Sequence, residues 1–220
     1  MSVIEETVVG PTTQSDGRGI GRMRVSKTNA LITAQEAPPF AELAARGKLY
    51  SLQTAVTGAT IAAGHVAPPA AAAATLLTLR NPVGSGVNMV ILKGTIAHVS
   101  GTAGTGCFSW CVASNTTSVL TATANATPQP LLAGGAASLG AGFTATTMTG
   151  GLVHAVARLF PSAVFATAMD AATQGKVAID FVDGAIVLAP GYLLTIAPAA
   201  TGTSHVVVAS IEYAEITIPT

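Results

Sequence analysis

Residues 183–218 read DGAIVLAPGYLLTIAPAATGTSHVVVASIEYAEITI, and this stretch decides the fold class. An apolar run from Ala185 to Leu188 stops at Pro190-Gly191, and a second run, Tyr192 to Ala197, follows at once. Pro198 to Ser204 is a spacer of small and turn-forming residues, and His205 to Ile218 is a third, longer run. Each run is short, rich in Val, Ile, Tyr and Thr, and bounded by turn residues, which is the signature of strand, turn, strand, loop, strand. Side chains alternate across a strand, so Ile211, Tyr213 and Glu215 share one face and Glu212, Ala214 and Ile216 the other. The last strand is therefore expected to be packed on one side and mixed on the other, as in a sandwich.

The same punctuation extends towards the N-terminus. Strands are predicted over Lys48–Val56, Thr60–Ala63, Thr75–Asn81 and Val87–Ser100, the last with Gly94 as a bulge or kink. Gly101 to Gly106 reads as a hairpin loop and Cys107 to Ser114 as the returning strand. Further strands are expected over Leu152–Leu159 and Ser162–Ala168, and Lys176–Asp180 leads into the opening stretch. Asn115 to Thr149 is a tract of small residues with sparse apolar anchors, expected to be a long inserted loop with one or two weak strands; loops of that length serve function or interfaces. Residues 1–47 differ from the rest. They carry Arg18, Arg22, Arg24, Lys27 and Arg46 among several acids and a flexible DGRGIGRMR segment, and read as an extended N-terminal arm. Phe40 to Arg46 looks like a short helical turn capped by Gly47. The expected architecture is all-β: a jelly-roll-like two-sheet β-sandwich over 48–220, with the insert at about 115–149 and the arm in front.

Half of the 220 residues are apolar and only 9% are charged, against about 25% charged in an ordinary soluble domain. Ten basic residues balance ten acidic ones, and a net charge near zero promotes association. Either a membrane or partner subunits must cover such a surface. A spanning helix needs about 18 or more apolar residues. The run Ala70–Leu79 ends at Arg80, and Val87–Val99 contains Asn88, Lys93 and His98. Glu5 and Glu6 occupy the place of a signal-peptide core, so none is expected. Burial in an oligomer is the reading that remains. Balanced charge also argues against nucleic acid as a general partner.

Chemistry is sparse. The four histidines, His65, His98, His154 and His205, fall in separate segments with no Cys or His at ligand spacing, so no zinc site is expected. Cys107 and Cys111 lie four apart on one strand, about 13 Å at ~3.3 Å per residue, too far for a disulfide; buried free thiols are expected. The glycines of DGRGIGRMR have the spacing G-x-G-x-G rather than a dinucleotide fingerprint. No G-x-S-x-G is present, and Asp180, Asp183, Glu212 and Glu215 suit ion pairs or solvent better than general acid–base work. No catalytic residue, metal or cofactor is expected. Phe108 and Trp110 share a strand face opposite Cys107 and Cys111, and with Tyr213 read as core residues or interface anchors.

The segments TLLTLRNPVGSGVNMVILKGTIAHV (75–99) and LAPGYLLTIAPAATGTSHVVVASIEYAEI (188–216) together resemble structural proteins of tailed bacteriophages. The resemblance rests on a strand followed by Asn-Pro and Gly, a long strand, a later Pro-Gly, a Thr/Gly spacer and a terminal Glu-Tyr-Ala-Glu-Ile; it covers residues 48–56, 75–112 and 184–218. It implies a non-enzymatic jelly-roll subunit of the virion, usually trimeric, placed on the head, neck or tail. The expectation is a capsid-associated decoration (cement) subunit that joins a homotrimer to the major capsid protein, with Arg18, Arg22, Arg24 and Lys27 of the arm contacting neighbours. The alternatives are a tail or neck component and a receptor-binding (adhesin) jelly roll.

Overall fold

The computed structural model describes residues 24–25, 31–32, 40–61, 74–102, 106–114, 125–147, 155–160, 177–198 and 203–218. The chain divides into two compact units, Met1–Ala41 and Glu42–Thr220. In the first, β1 (Arg24–Val25) pairs antiparallel with β2 (Leu31–Ile32), with Arg24 opposite Ile32.

The helix α1 (Ala41–Ala45) begins at the last residue of the first unit and belongs from Glu42 onward to the second. It ends as expected at Gly47, whose φ of 65° is a backbone state that glycine adopts without penalty. The Gly47 N–H donates to Ala44 O and the Lys48 N–H to Leu43 O, the paired bonds of a Schellman cap.

Twelve strands follow: β3 (Leu49–Gln53), β4 (Ala59–Thr60), β5 (Ala74–Arg80), β6 (Val87–Thr102), β7 (Phe108–Ser114), β8 (Asn125–Ala126), β9 (Gln129–Pro130), β10 (Ala141–Thr147), β11 (Ala155–Leu159), β12 (Val177–Leu188), β13 (Tyr192–Pro198) and β14 (Thr203–Thr217). They form two antiparallel sheets. Sheet I has the order β11-β7-β13-β5-β10-β8; sheet II has the order β12-β6-β14-β3-β9, with β4 also on β14. Set aside β4 and the strands of the insert, and number β3, β5, β6, β7, β11, β12, β13 and β14 one to eight. One sheet then reads 6-3-8-1 and the other 5-4-7-2. That is a jelly roll: two Greek keys wrapped so that neighbouring strands come from distant parts of the chain.

The core lies between the sheets, where Leu52, Met89, Ile91, Ile211 and Tyr213 of sheet II meet Leu77, Leu79, Phe108, Trp110 and Ile196 of sheet I. Sheet I is buried on both faces. Its other face carries Thr78, Cys111, Leu193 and Thr195, all buried, with the Thr78 and Thr195 hydroxyls 2.7 Å apart. This explains why TLLTL and LLTIA read as unbroken apolar runs rather than alternating ones. β14 divides as expected: Ile211, Tyr213 and Glu215 are buried inside, while Glu212 and Ile216 face out.

Three expectations need correction. Gly94 is not the irregular residue of β6. Both neighbouring strands skip at Leu92: Lys93 faces Glu212 and Phe181, whereas Ile91 faces Tyr213 and Ile186. Gly94 instead leaves room for the Trp110 ring, which a Cβ there would overlap. The strand before the opening stretch does not stop at Asp180. β12 continues through Asp183 (φ 48°) and Gly184 to Leu188. The 115–149 insert holds more structure than a loop with weak strands. β10 is seven residues long and extends sheet I at β5, while β9 extends sheet II at β3. The strand expected over Ser162–Ala168 lies outside the described residues.

Candidate functional site

The buried polar side chains mark where chemistry could occur, and three of them, Asn81, Asp180 and Glu215, tie parts of the sandwich together. Asn81 closes β5 and is fully buried. Its amide donates to Val87 O and to Leu188 O, each at 2.8 Å, and its Oδ1 accepts from the Ser85 hydroxyl at 2.6 Å. Its backbone pairs with Gly191 and Tyr192. The Asn-Pro and Pro-Gly signals, more than a hundred residues apart in sequence, therefore meet at one residue.

Asp180 of β12 faces inward at the side of the sandwich where β11 and β12 are the edge strands. It accepts from Trp110 Nε1 and from Arg158 Nη2, both at 2.8 Å. Trp110 stacks on Phe160 with centroids 4.8 Å apart. The arrangement joins sheet I to sheet II through a carboxylate that water does not reach.

At the opposite side Glu215 grips the insert. Its Oε1 accepts from the Ser138 hydroxyl at 2.5 Å and from the Leu139 N–H at 2.9 Å. The Ser138 hydroxyl also lies 2.7 Å from the Tyr213 hydroxyl. Burial pushes the Tyr213 phenol well above its usual range, against the Ser138 hydrogen bond and with the help of the Glu215 charge.

His98 and His205, remote in sequence, are brought together in the core with ring centroids 5.0 Å apart. Neither ring nitrogen of His98 has a hydrogen-bond partner among the described residues. His205 is pushed down to about 4, chiefly by burial and secondly by His98. The unfolded chain, with an ordinary value near 6.5, then binds a proton that the folded chain refuses. Stability is full above about pH 6.5 and falls as the pH drops towards 4, by at most roughly 3 kcal/mol. Urea midpoints measured across that range are expected to decline for the native chain and to change less for His205→Leu; an equal decline in both would assign the acid sensitivity elsewhere.

Asn81, Asp180, Glu215, His98 and His205 do not line the groove that lies beside β3 and β14. That shallow groove of about 310 Å³ is lined by Gln53, Thr54, Val56, Thr95, Val208 and Ser210 among others, and carries no ionisable side chain. No group of three or more His, Cys, Asp or Glu residues that could hold a metal ion occurs among the described residues. Within those residues no helix is long and apolar enough to cross a membrane. Cys107 and Cys111 are free thiols, the latter buried.

Of the expected contact residues, Arg18, Arg22 and Lys27 lie outside the described residues, and Arg24 is the first residue of β1. Phe108, Trp110 and Tyr213 are all placed in the core between the sheets. The apolar groups that face water are others. On β12 the outward residues Val177, Ile179, Phe181 and Val187 are 41–63% exposed. They were legible as an alternation, VAIDFVD, in which both faces are apolar and only Asp180 and Asp183 carry charge. Their row continues across β6 through Ala97 and Thr95 to the Lys93–Glu212 ion pair at 2.8 Å. At the other edge of sheet II, Leu131, Leu132 and Leu139 of the insert are also exposed. No protein-family model, curated protein or solved structure matches the chain.

Proposed function

We propose that the chain is a non-enzymatic structural subunit of a tailed-bacteriophage particle, a capsid-associated decoration protein that strengthens the shell by contacts between subunits. The observation that carries this reading is the exposed apolar row on β12, set in a jelly roll whose buried acids are engaged in internal hydrogen bonds. A face of that kind gains free energy by leaving water, at about 25 cal/mol per Å² of apolar surface. The resemblance of residues 75–99 and 188–216 to phage structural proteins supplies the context. In this reading the chain acts as a homo-oligomer, a trimer by that resemblance. The cationic positions Arg18, Arg22, Arg24 and Lys27 reach the major capsid protein.

The test is the composition of the particle. Virions from the host that encodes the chain, banded on a density gradient, are expected to contain it in stoichiometric amount. Particles made without it are expected to release their DNA at lower temperature. Its absence from banded particles overturns the reading.

A further inference from the structure

Sheet II ends in two apolar patches of different make. One is the outward row of β12, with Phe181 63% and Val177 54% exposed; the other is the insert loop beside β3, with Leu131 51% and Leu139 52% exposed. The strand order places β12 first and β9 last in the sheet, so the two lie about 19 Å apart across five strands at ~4.8 Å spacing. Leu131 is fixed there by its N–H bond to Leu49 O, and Leu139 by its N–H bond to Glu215. The loop offers no charge to a partner, and the β12 row carries one exposed acid, Asp183 at the bulge. Residues 131–140 contain no ionisable side chain. On β12, Asp180 points inward to Arg158, and the nearest cation on the outer face, Lys93, is already paired with Glu212.

We infer that these patches meet each other between copies: the β12 row of one subunit packs on the Leu131–Leu139 loop of the next, head to tail. This rests on the reading of the chain as an assembling structural subunit. The apolar side chains of one patch are complementary to those of the other, and the chain supplies both halves. A two-fold contact of β12 with β12 buries one patch and leaves the other in water. A head-to-tail contact buries both, and closes into a ring when the rotation between copies allows it. The exposed parts of the named side chains amount to roughly 650 Å² per contact. A standard interface of about 1,600 Å² has a little over half of its area apolar, on the order of 900 Å². The named residues thus supply about seven-tenths of that apolar share, and the remainder falls to other apolar atoms of the contact. The bulge at Asp183-Gly184 interrupts the free edge of β12, which disfavours continuous strand addition there and leaves side-chain packing as the mode of contact.

The head-to-tail arrangement has a distinctive test, because each copy then owns two different half-sites. Light scattering on the full chain is expected to give a closed oligomer. Phe181→Asp and Leu131→Asp, each with an unchanged circular dichroism spectrum, are each expected to run as monomers. An equimolar mixture of the two is expected to form a two-copy species, since one intact β12 row and one intact loop remain between them. Should either aspartate variant fail to fold, Ile179→Lys and Leu132→Lys probe the same two patches. A monomeric native chain overturns the inference. So does a Phe181→Asp protein that keeps the native mass, or one that dissociates while Leu131→Asp does not, which is the outcome for a two-fold contact. Monomeric variants that stay monomeric on mixing overturn it as well. A chain found in virions yet monomeric in solution sinks this contact and spares the proposed function; a ring absent from virions does the reverse.

Discussion

Replacing Asn81 with alanine is expected to lower the unfolding free energy by about 3–6 kcal/mol. The side chain makes three hydrogen bonds in a fully buried position. Each buried partner left unsatisfied costs about 1–3 kcal/mol. Alanine cannot replace the donors to Val87 O and Leu188 O, and water has no access to take their place. The loss is large because domains of this kind are stable by only about 5–15 kcal/mol. Ser85→Ala removes the hydroxyl that donates to Asn81 Oδ1 and makes two longer contacts with the Val87 backbone, and is expected to cost about 1 kcal/mol. Urea unfolding followed by tryptophan fluorescence measures both, since Trp110 is the single tryptophan and sits in the core. A loss below 1 kcal/mol for Asn81→Ala would show that the two turns hold without their common side chain.

The second large effect concerns Asp180 and Arg158, and here the order of the losses carries the information. The carboxylate is buried, with a side chain 1% exposed, whereas the guanidinium is 38% exposed. Arg158→Met strands a buried charge that keeps its hydrogen bond from the Trp110 N–H. Uncompensated charges of that sort destabilise by about 3–5 kcal/mol. Asp180→Leu leaves a cation that can turn to water, and an indole N–H without an acceptor, for about 1–3 kcal/mol. The double replacement is expected to be close to Asp180→Leu alone, so the cycle shows a coupling of a few kcal/mol. Additive losses, or Asp180→Leu as the worse of the two, would place the stabilisation outside the ion pair.

How much of this was legible in the sequence follows from the range of the interactions involved. Turn residues and β-branched runs act locally, so most strand limits and the Gly47 cap were readable. The Val87–Thr102 strand was readable in this way too, and the alternation of β14 gave its buried face. Lys176–Asp180 and Ala185–Leu188 read as separate stretches although they are one strand, because Asp-Gly inside a bulged strand looks the same as Asp-Gly between strands. Gly94 misled for a related reason: its role depends on Trp110 in the opposite sheet, sixteen residues later. The clusters around Asn81, Asp180 and Glu215 join positions separated by tens of residues or more than a hundred. No local pattern encodes such meetings. The apolar character of the outward face of β12 was present in the letters, but it became a surface only once Ala178, Asp180 and Val182 were known to point inward.

The grip of Glu215 on Ser138 and Leu139 has a consequence for synthesis. Glu215 belongs to the last strand, and a translating ribosome covers the newest few tens of residues. The insert emerges well before the carboxylate that fastens it, and so does β3, whose partner β14 is also the last to appear. Sheet II therefore lacks the strand between β3 and β6 until β14 has emerged. The edges of β3 and β6 that await it must be kept from sister chains on neighbouring ribosomes until then.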